Sequence, residues 1–197
     1  MVRPAQGVIT AGFDQVRERA DGSKYVHGGL DIAPPDRDNF KEGERDLVAV
    51  ETGKLMAAMI QLRTENRSAW SAWGYVPWPG ALFSEPFPFA NYTIEFYGVI
   101  LVLVAGEETY VYAHLNEVPH FLDNMQMHFV RESAERSVHA TLWGPSDVEA
   151  GSYIGKMGWF GKVLPGDRRG CHLHIEGHKG HVWHPEKERI KLEEKLR

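Results

Sequence analysis

At 197 residues with 43% apolar side chains, the chain is long enough to bury a substantial core and too short for two ordinary enzyme domains. A single domain over residues 1–197 is therefore expected. A net charge of −5 leaves no basic excess for a nucleic-acid backbone or an anionic membrane, and the one cysteine, Cys171, excludes an intrachain disulfide. The opening MVRPAQGVIT has no apolar stretch of signal-peptide length, and no segment approaches the ~20 apolar residues of a membrane span. The sequence as it stands predicts a soluble, unexported chain.

Taken in chain order, short apolar runs separated by Gly-rich turns predict a mainly β domain with an antiparallel core. Gly7 to Phe13 and Leu47 to Ile60 are the first such runs. Residues 61–90 break the rhythm, carrying Trp70, Trp73, Tyr75, Trp78, Phe83, Phe87 and Phe89 among four prolines. This composition suits no regular element and is too apolar for a free linker, so an aromatic-rich insertion is expected to fold back over the domain. Gly98 to Val104 and Thr109 to Leu115 follow, joined by Ala105-Gly106-Glu107-Glu108, a link short enough for a hairpin. Val99 to Val104 is apolar at every position and predicts a strand buried on both faces.

Residues 119–142 predict a helical insertion. Pro119 suits a first turn, and Phe121, Leu122, Met125 and Phe129 fall at helical spacing. Ala150 to Gly161 reads as a strand pair leading to Cys171 to Glu176, and the charged tail from Pro185 as a short helix.

Three segments carry chemistry. In Tyr25-Val-His-Gly-Gly-Leu-Asp31 an imidazole and a carboxylate sit four residues apart around two glycines. The glycines argue for a bent strand-to-loop segment in which both side chains converge, a geometry that suits a metal. A turn histidine near a capping aspartate is the plainer alternative. In Cys171-His-Leu-His-Ile-Glu176, the two-residue period of a strand puts His172, His174 and Glu176 on one face and Leu173 and Ile175 on the other. Two imidazoles buried together need a metal or an acid partner; the polar face of an exposed edge strand is the alternative. His114, in Tyr110-Val-Tyr-Ala-His-Leu115, ends a predicted strand and by itself is as well explained structurally.

In this order the segments resemble the lysostaphin/LytM-type zinc endopeptidases that cut peptidoglycan stem peptides and cross-bridges. The resemblance rests on Val8-Ile-Thr-Ala-Gly-Phe13, His27-Gly-Gly-Leu-Asp-Ile-Ala33, Val48-Ala-Val-Glu-Thr-Gly53, Tyr112-Ala-His-Leu115, Val148-Glu-Ala-Gly-Ser-Tyr-Ile-Gly155 and His172-Leu-His-Ile-Glu176. It implies a duplicated-hybrid-motif type of β fold and one Zn2+ per chain, held by His27, Asp31 and His174 with a fourth position for water. It also implies that His114 and His172 are the catalytic histidines that activate this water and stabilise the tetrahedral intermediate. Glu176 matches a position that supports the ligands.

Where the family has a small, hydroxyl-rich turn before its HxH, this chain has Leu164-Pro-Gly-Asp-Arg-Arg-Gly-Cys171. Arg168 and Arg169 could grip a stem-peptide carboxylate there, or be solvated. Cys171, facing away from the histidines, is expected to be a buried small residue. The resemblance implies peptidoglycan peptides as partner, no nucleic acid, and action outside the cytoplasmic membrane. Without an export signal, carriage on a phage virion or release at lysis is a delivery route that fits, with the insertions as surfaces for a virion or protein partner. A non-catalytic peptidoglycan-binding or regulatory module of the same fold is the alternative.

Overall fold

The computed structural model describes residues 1–18, 22–64, 75–76, 87–88, 98–122, 126–133, 136–160, 167–180 and 189–196. Its strands are β1 (Val8–Ala11), β2 (Val16–Glu18), β3 (Lys24–Val26), β4 (Leu30–Ala33), β5 (Asp46–Val48), β6 (Gly53–Thr64) and β7 (Tyr75–Val76). They continue with β8 (Phe87–Pro88), β9 (Val99–Ala105), β10 (Glu108–Leu115), β11 (Gln126–Ser133), β12 (Arg136–Val148), β13 (Tyr153–Lys156) and β14 (Leu173–Lys179), followed by a short helix α1 (Leu192–Lys195). Among these residues the protein is mainly β, as the sequence predicts. Eight strands form one antiparallel sheet in the order β1-β4-β14-β10-β9-β6-β12-β11, and β13-β5, β2-β3 and β7-β8 form three small pairs.

Period-two alternation divides the central strands into two faces. Leu30 and Ile32 of β4, Leu173 and Ile175 of β14, Tyr110 and Tyr112 of β10, and Leu101 and Leu103 of β9 all enter one buried apolar cluster. The Tyr112 hydroxyl donates to Val48 O at 3.2 Å and accepts from Val50 N at 2.9 Å, so its polar tip is satisfied inside that core. The opposite face is apolar and buried at Met56, Ile100, Val102 and Val111, and among the described residues buried polar groups gather on it along β14 and its neighbours β4 and β10. There Asp31 stands opposite His174, and His174 in turn opposite Ala113 of β10. The site therefore lies on the face of the sheet turned away from the main core.

The predicted hairpin is present as β9 and β10, joined through Gly106 in a left-handed turn conformation, and β9 is buried on both faces along its first five residues. The predicted helix over 119–142 is corrected. Beyond a short 3-10 turn at His120–Leu122, the described residues are the strands β11 and β12. β12 pairs with β6 from Arg136 opposite Thr64 to Val148 opposite Gly53, and this long ladder outweighs local spacing. The competing signal was present, since Val138, Ala140 and Leu142 alternate with Ser137, His139 and Thr141.

Among the described residues of the Ala150 to Gly161 stretch one strand forms, β13, and its partner is β5 rather than a neighbour in the same stretch. Most of the aromatic insertion at 61–90 lies outside the described residues, its start continuing β6 to Thr64. The charged tail forms α1, with Leu192 buried in the core. No helix of the described residues is long and apolar enough to cross a membrane.

Candidate metal centre

His27 lies in the loop between β3 and β4, Asp31 in β4 and His174 in β14. The loop is pinned on both sides of the first histidine: His27 N donates to Gln15 O at 2.9 Å, and Asp14 N donates to His27 O at 3.0 Å. Gly29 then passes so close to β14 that a Cβ there would stand 2.5 Å from Ile175 O and 3.0 Å from the His174 ring. That approach explains the glycine at 29, where a larger residue would hold the loop off the strand, while a Cβ at Gly28 would meet the Arg189 guanidinium instead.

The result is a tight triangle of donor atoms. His27 Nε2 is 3.1 Å from Asp31 Oδ1 and 3.1 Å from His174 Nδ1, and His174 Nδ1 is 2.8 Å from Asp31 Oδ1. All three residues are buried, and together they could hold a metal ion. Tetrahedral zinc with N and O ligands separates its ligands by about 3.3 Å, so small outward shifts would seat one. The His27 Nδ1–H donates to Gly12 O at 3.0 Å, which leaves Nε2 as the atom offered to a metal.

The charges around this triangle are strongly coupled. Burial opposes a charged His174, yet hydrogen bonds to Asp31 and Glu176, at 2.8 and 2.9 Å, push its pKa up to about 10. Burial likewise opposes the Asp31 and Glu176 charges, but the bond from His174 to the first, and the bonds from His174 and His178 to the second, hold both well below the usual carboxylate range. Without metal, His174 is thus an imidazolium clasped between two carboxylates.

His114 reaches this face through a defect in β10. Tyr112 and Leu115 both point into the main core although they are three positions apart, an odd spacing, so the strand carries one extra residue. The pairing with β9 shifts register between them, and His114 takes a φ of 69°, rare for a residue with a side chain. Its ring comes to 4.7 Å from that of His172 and 6.0 Å from that of His174, centre to centre. Burial, then the neighbouring His172 and His174, lower the His114 pKa to about 3; burial also lowers that of His172. Both are neutral at pH 7. Each ties its Nδ1–H to a carbonyl, His114 to Phe160 O at 3.1 Å and His172 to Gly170 O at 2.8 Å, so Nε2 carries the lone pair in both. The structure thus brings all five histidine and aspartate positions singled out from sequence to one place.

No protein-family profile matches the sequence, and no curated protein sequence does. In structure the chain is similar to Helicobacter pylori Csd3 from an orthorhombic crystal, with a TM-score of 0.45 and 17% identity over 99% of this chain and 38% of that one. It is similar to the same protein from a hexagonal crystal at a TM-score of 0.45 and 16% identity, over 100% of this chain and 33% of that one. The chain thus spans 38% and 33% of the length of these two chains.

Several contributors escape sequence reasoning. Arg17 of β2 donates from Nη1 to Asp31 Oδ2 at 3.0 Å, engaging the oxygen turned away from the triangle. Glu193 of α1 accepts from Phe13 N, beside the Gly12 carbonyl that orients His27. His178, given no role from sequence, donates to Glu176 Oε2 at 3.0 Å. Its signal was the continued alternation of His174, Glu176 and His178. Arg168 and Arg169 are engaged within the chain: Arg168 stacks 4.3 Å from the centre of the Phe40 ring and donates to Phe40 O, while Arg169 forks onto Asp167. Cys171 is buried, and burial pushes its thiol up to about 11, so it is no nucleophile. Of the other histidines, His120 lies in the 3-10 turn, His128 and His139 in β11 and β12, and His181 and His184 outside the described residues.

Proposed function

We propose that this chain is a zinc-dependent endopeptidase of the lysostaphin/LytM type, hydrolysing peptide bonds in peptidoglycan stem peptides or cross-bridges. The observation that carries the reading is the convergence of His27 Nε2, Asp31 Oδ1 and His174 Nδ1 beside two neutral histidines, His114 and His172. Two imidazoles and one carboxylate suit zinc better than calcium or magnesium, which favour all-oxygen shells. When bound, zinc would supply Lewis acidity, polarising the scissile carbonyl and acidifying water.

The chain's own residues supply the proton transfers. A neutral imidazole with Nδ1–H committed to a carbonyl can accept at Nε2, as His114 and His172 both can. One of the two takes the proton of the attacking water. Once protonated, that nitrogen becomes a donor to the oxyanion or to the departing amine. The carbonyls of Phe160 and Gly170 fix both ring orientations, so the acceptor atoms are set before substrate arrives. Such a substrate places the reaction in the cell wall or periplasm.

Two variants test the division of labour. His114→Ala should keep about one zinc per chain and lose turnover on sacculi by about 100-fold or more, whereas Asp31→Ala should lose the zinc itself. An active His114→Ala protein would contradict the reading. Zinc-loaded protein that binds sacculi but releases no amino groups would make the chain a non-catalytic binding or regulatory module instead.

A further inference from the structure

We propose that His178 is a positioning residue for the metal ligand His174, acting through the buried carboxylate of Glu176. The inference rests on the reading above that His174 holds a metal. It starts from strand geometry: His174, Glu176 and His178 alternate on one face of β14, so the carboxylate stands between the two rings. Glu176 Oε1 is 2.9 Å from His174 Nε2, and Oε2 is 3.0 Å from His178 Nε2. Glu176 is 3% exposed and His178 fully buried, so this carboxylate depends on protein donors rather than on bulk water.

An N–H at His174 Nε2 held by Oε1 leaves Nδ1 as the donor atom facing Asp31 Oδ1 and His27 Nε2. The bond to Oε1 keeps this ring orientation only while the carboxylate itself is kept from rotating. His178 does that from the far side. Its own place is fixed by the end of β14, where it pairs with Thr109 of β10 and bridges Arg189 ahead of α1, and where Ile190 N donates to Gly177 O at 2.8 Å. A residue four positions beyond the ligand thus orients it without touching the metal.

The test reads metal affinity and ligand geometry rather than turnover. Zn2+ affinity would be measured by competition with a chromophoric chelator, and geometry by the visible absorption of the Co2+-loaded protein. His178→Leu should weaken Zn2+ binding about 10- to 100-fold and shift the Co2+ bands, while His178→Gln, which places an amide N–H near the lost Nε2, should restore both. In a Glu176→Gln background, adding His178→Leu should cost no further affinity, because the route through the carboxylate is already broken. Wild-type affinity and bands in folded His178→Leu, with only thermal stability reduced, would overturn the proposal, as would full additivity in the double variant. If His178→Leu does not fold, His178→Gln against His178→Asn decides: tighter binding by Gln supports the relay, and equal binding overturns it. A wild-type chain that takes up no Zn2+ would overturn both this relay and the function it rests on, whereas zinc uptake insensitive to His178 would overturn the relay alone.

Discussion

The imidazolium of His174 has two linked consequences for pH. Its pKa is raised from the ordinary 6.5 to about 10 by Asp31 and Glu176, so in the metal-free protein its contribution to stability is complete below about pH 6.5 and declines as pH rises toward 10. The two carboxylates, held low, act in the opposite sense: their contribution is present above the ordinary carboxylate range and is lost in acid. A metal takes the place of the proton on Nδ1, so raising pH should favour binding. Between pH 7 and 9 the Zn2+ dissociation constant should fall about tenfold per unit, with one proton released per ion, measured by calorimetry in buffers of different ionisation enthalpy. A dissociation constant flat across that range would show that His174 is not charged in the empty site. The site residues were readable from sequence where spacing alone determines direction: His172, His174 and Glu176 share a face because any strand alternates. Arg17 was not readable, because it meets Asp31 only through the pairing of β2 with β3, which local spacing does not encode.

At the scale of elements, the site depends on one close approach and one irregular strand. Gly29 packs the β3–β4 loop onto β14, and Gly29→Ala would drive a methyl group into Ile175 O, Glu176 and the His174 ring. Overpacking of this kind costs about 1–3 kcal/mol, and here relief means moving the loop that carries His27 away from its partners. We expect Gly29→Ala to fold with reduced stability and to bind Zn2+ at least about tenfold more weakly, while Gly43→Ala, with no atom closer than 4.0 Å to its new methyl, should match the parent. Equal affinity in the two would mean that the close approach does not build the site. The bulge in β10 could not be seen in Tyr110 to Leu115, because strict alternation sends His114 toward the core with Tyr112. The burial of Leu115 on that same side and the register shift against β9 reveal the extra residue. The 119–142 segment failed for a related reason. Helical spacing over Phe121 to Phe129 competes with a strand pattern further along, and the ladder from β12 to β6 decides between them.

Across the whole molecule, one sheet separates two tasks. Its core face is closed by apolar side chains from β4, β14, β10, β9 and β6, the residue classes whose alternation made the mainly β fold readable. Its other face gathers buried polar groups along β14, and at the junction of β14 with β4 strand register brings residues 143 positions apart into contact. That register, a property of the assembled sheet, is what turns two separate short motifs into one centre. The central claim, that this centre breaks peptide bonds of the cell wall, is tested most directly by product analysis on defined muropeptides, glycine-bridged and directly cross-linked. Zinc-loaded protein should release fragments carrying a new amino group and a new carboxyl group from at least one of them, with a chelator abolishing the release. Intact muropeptides after prolonged incubation with protein carrying one zinc per chain would contradict it.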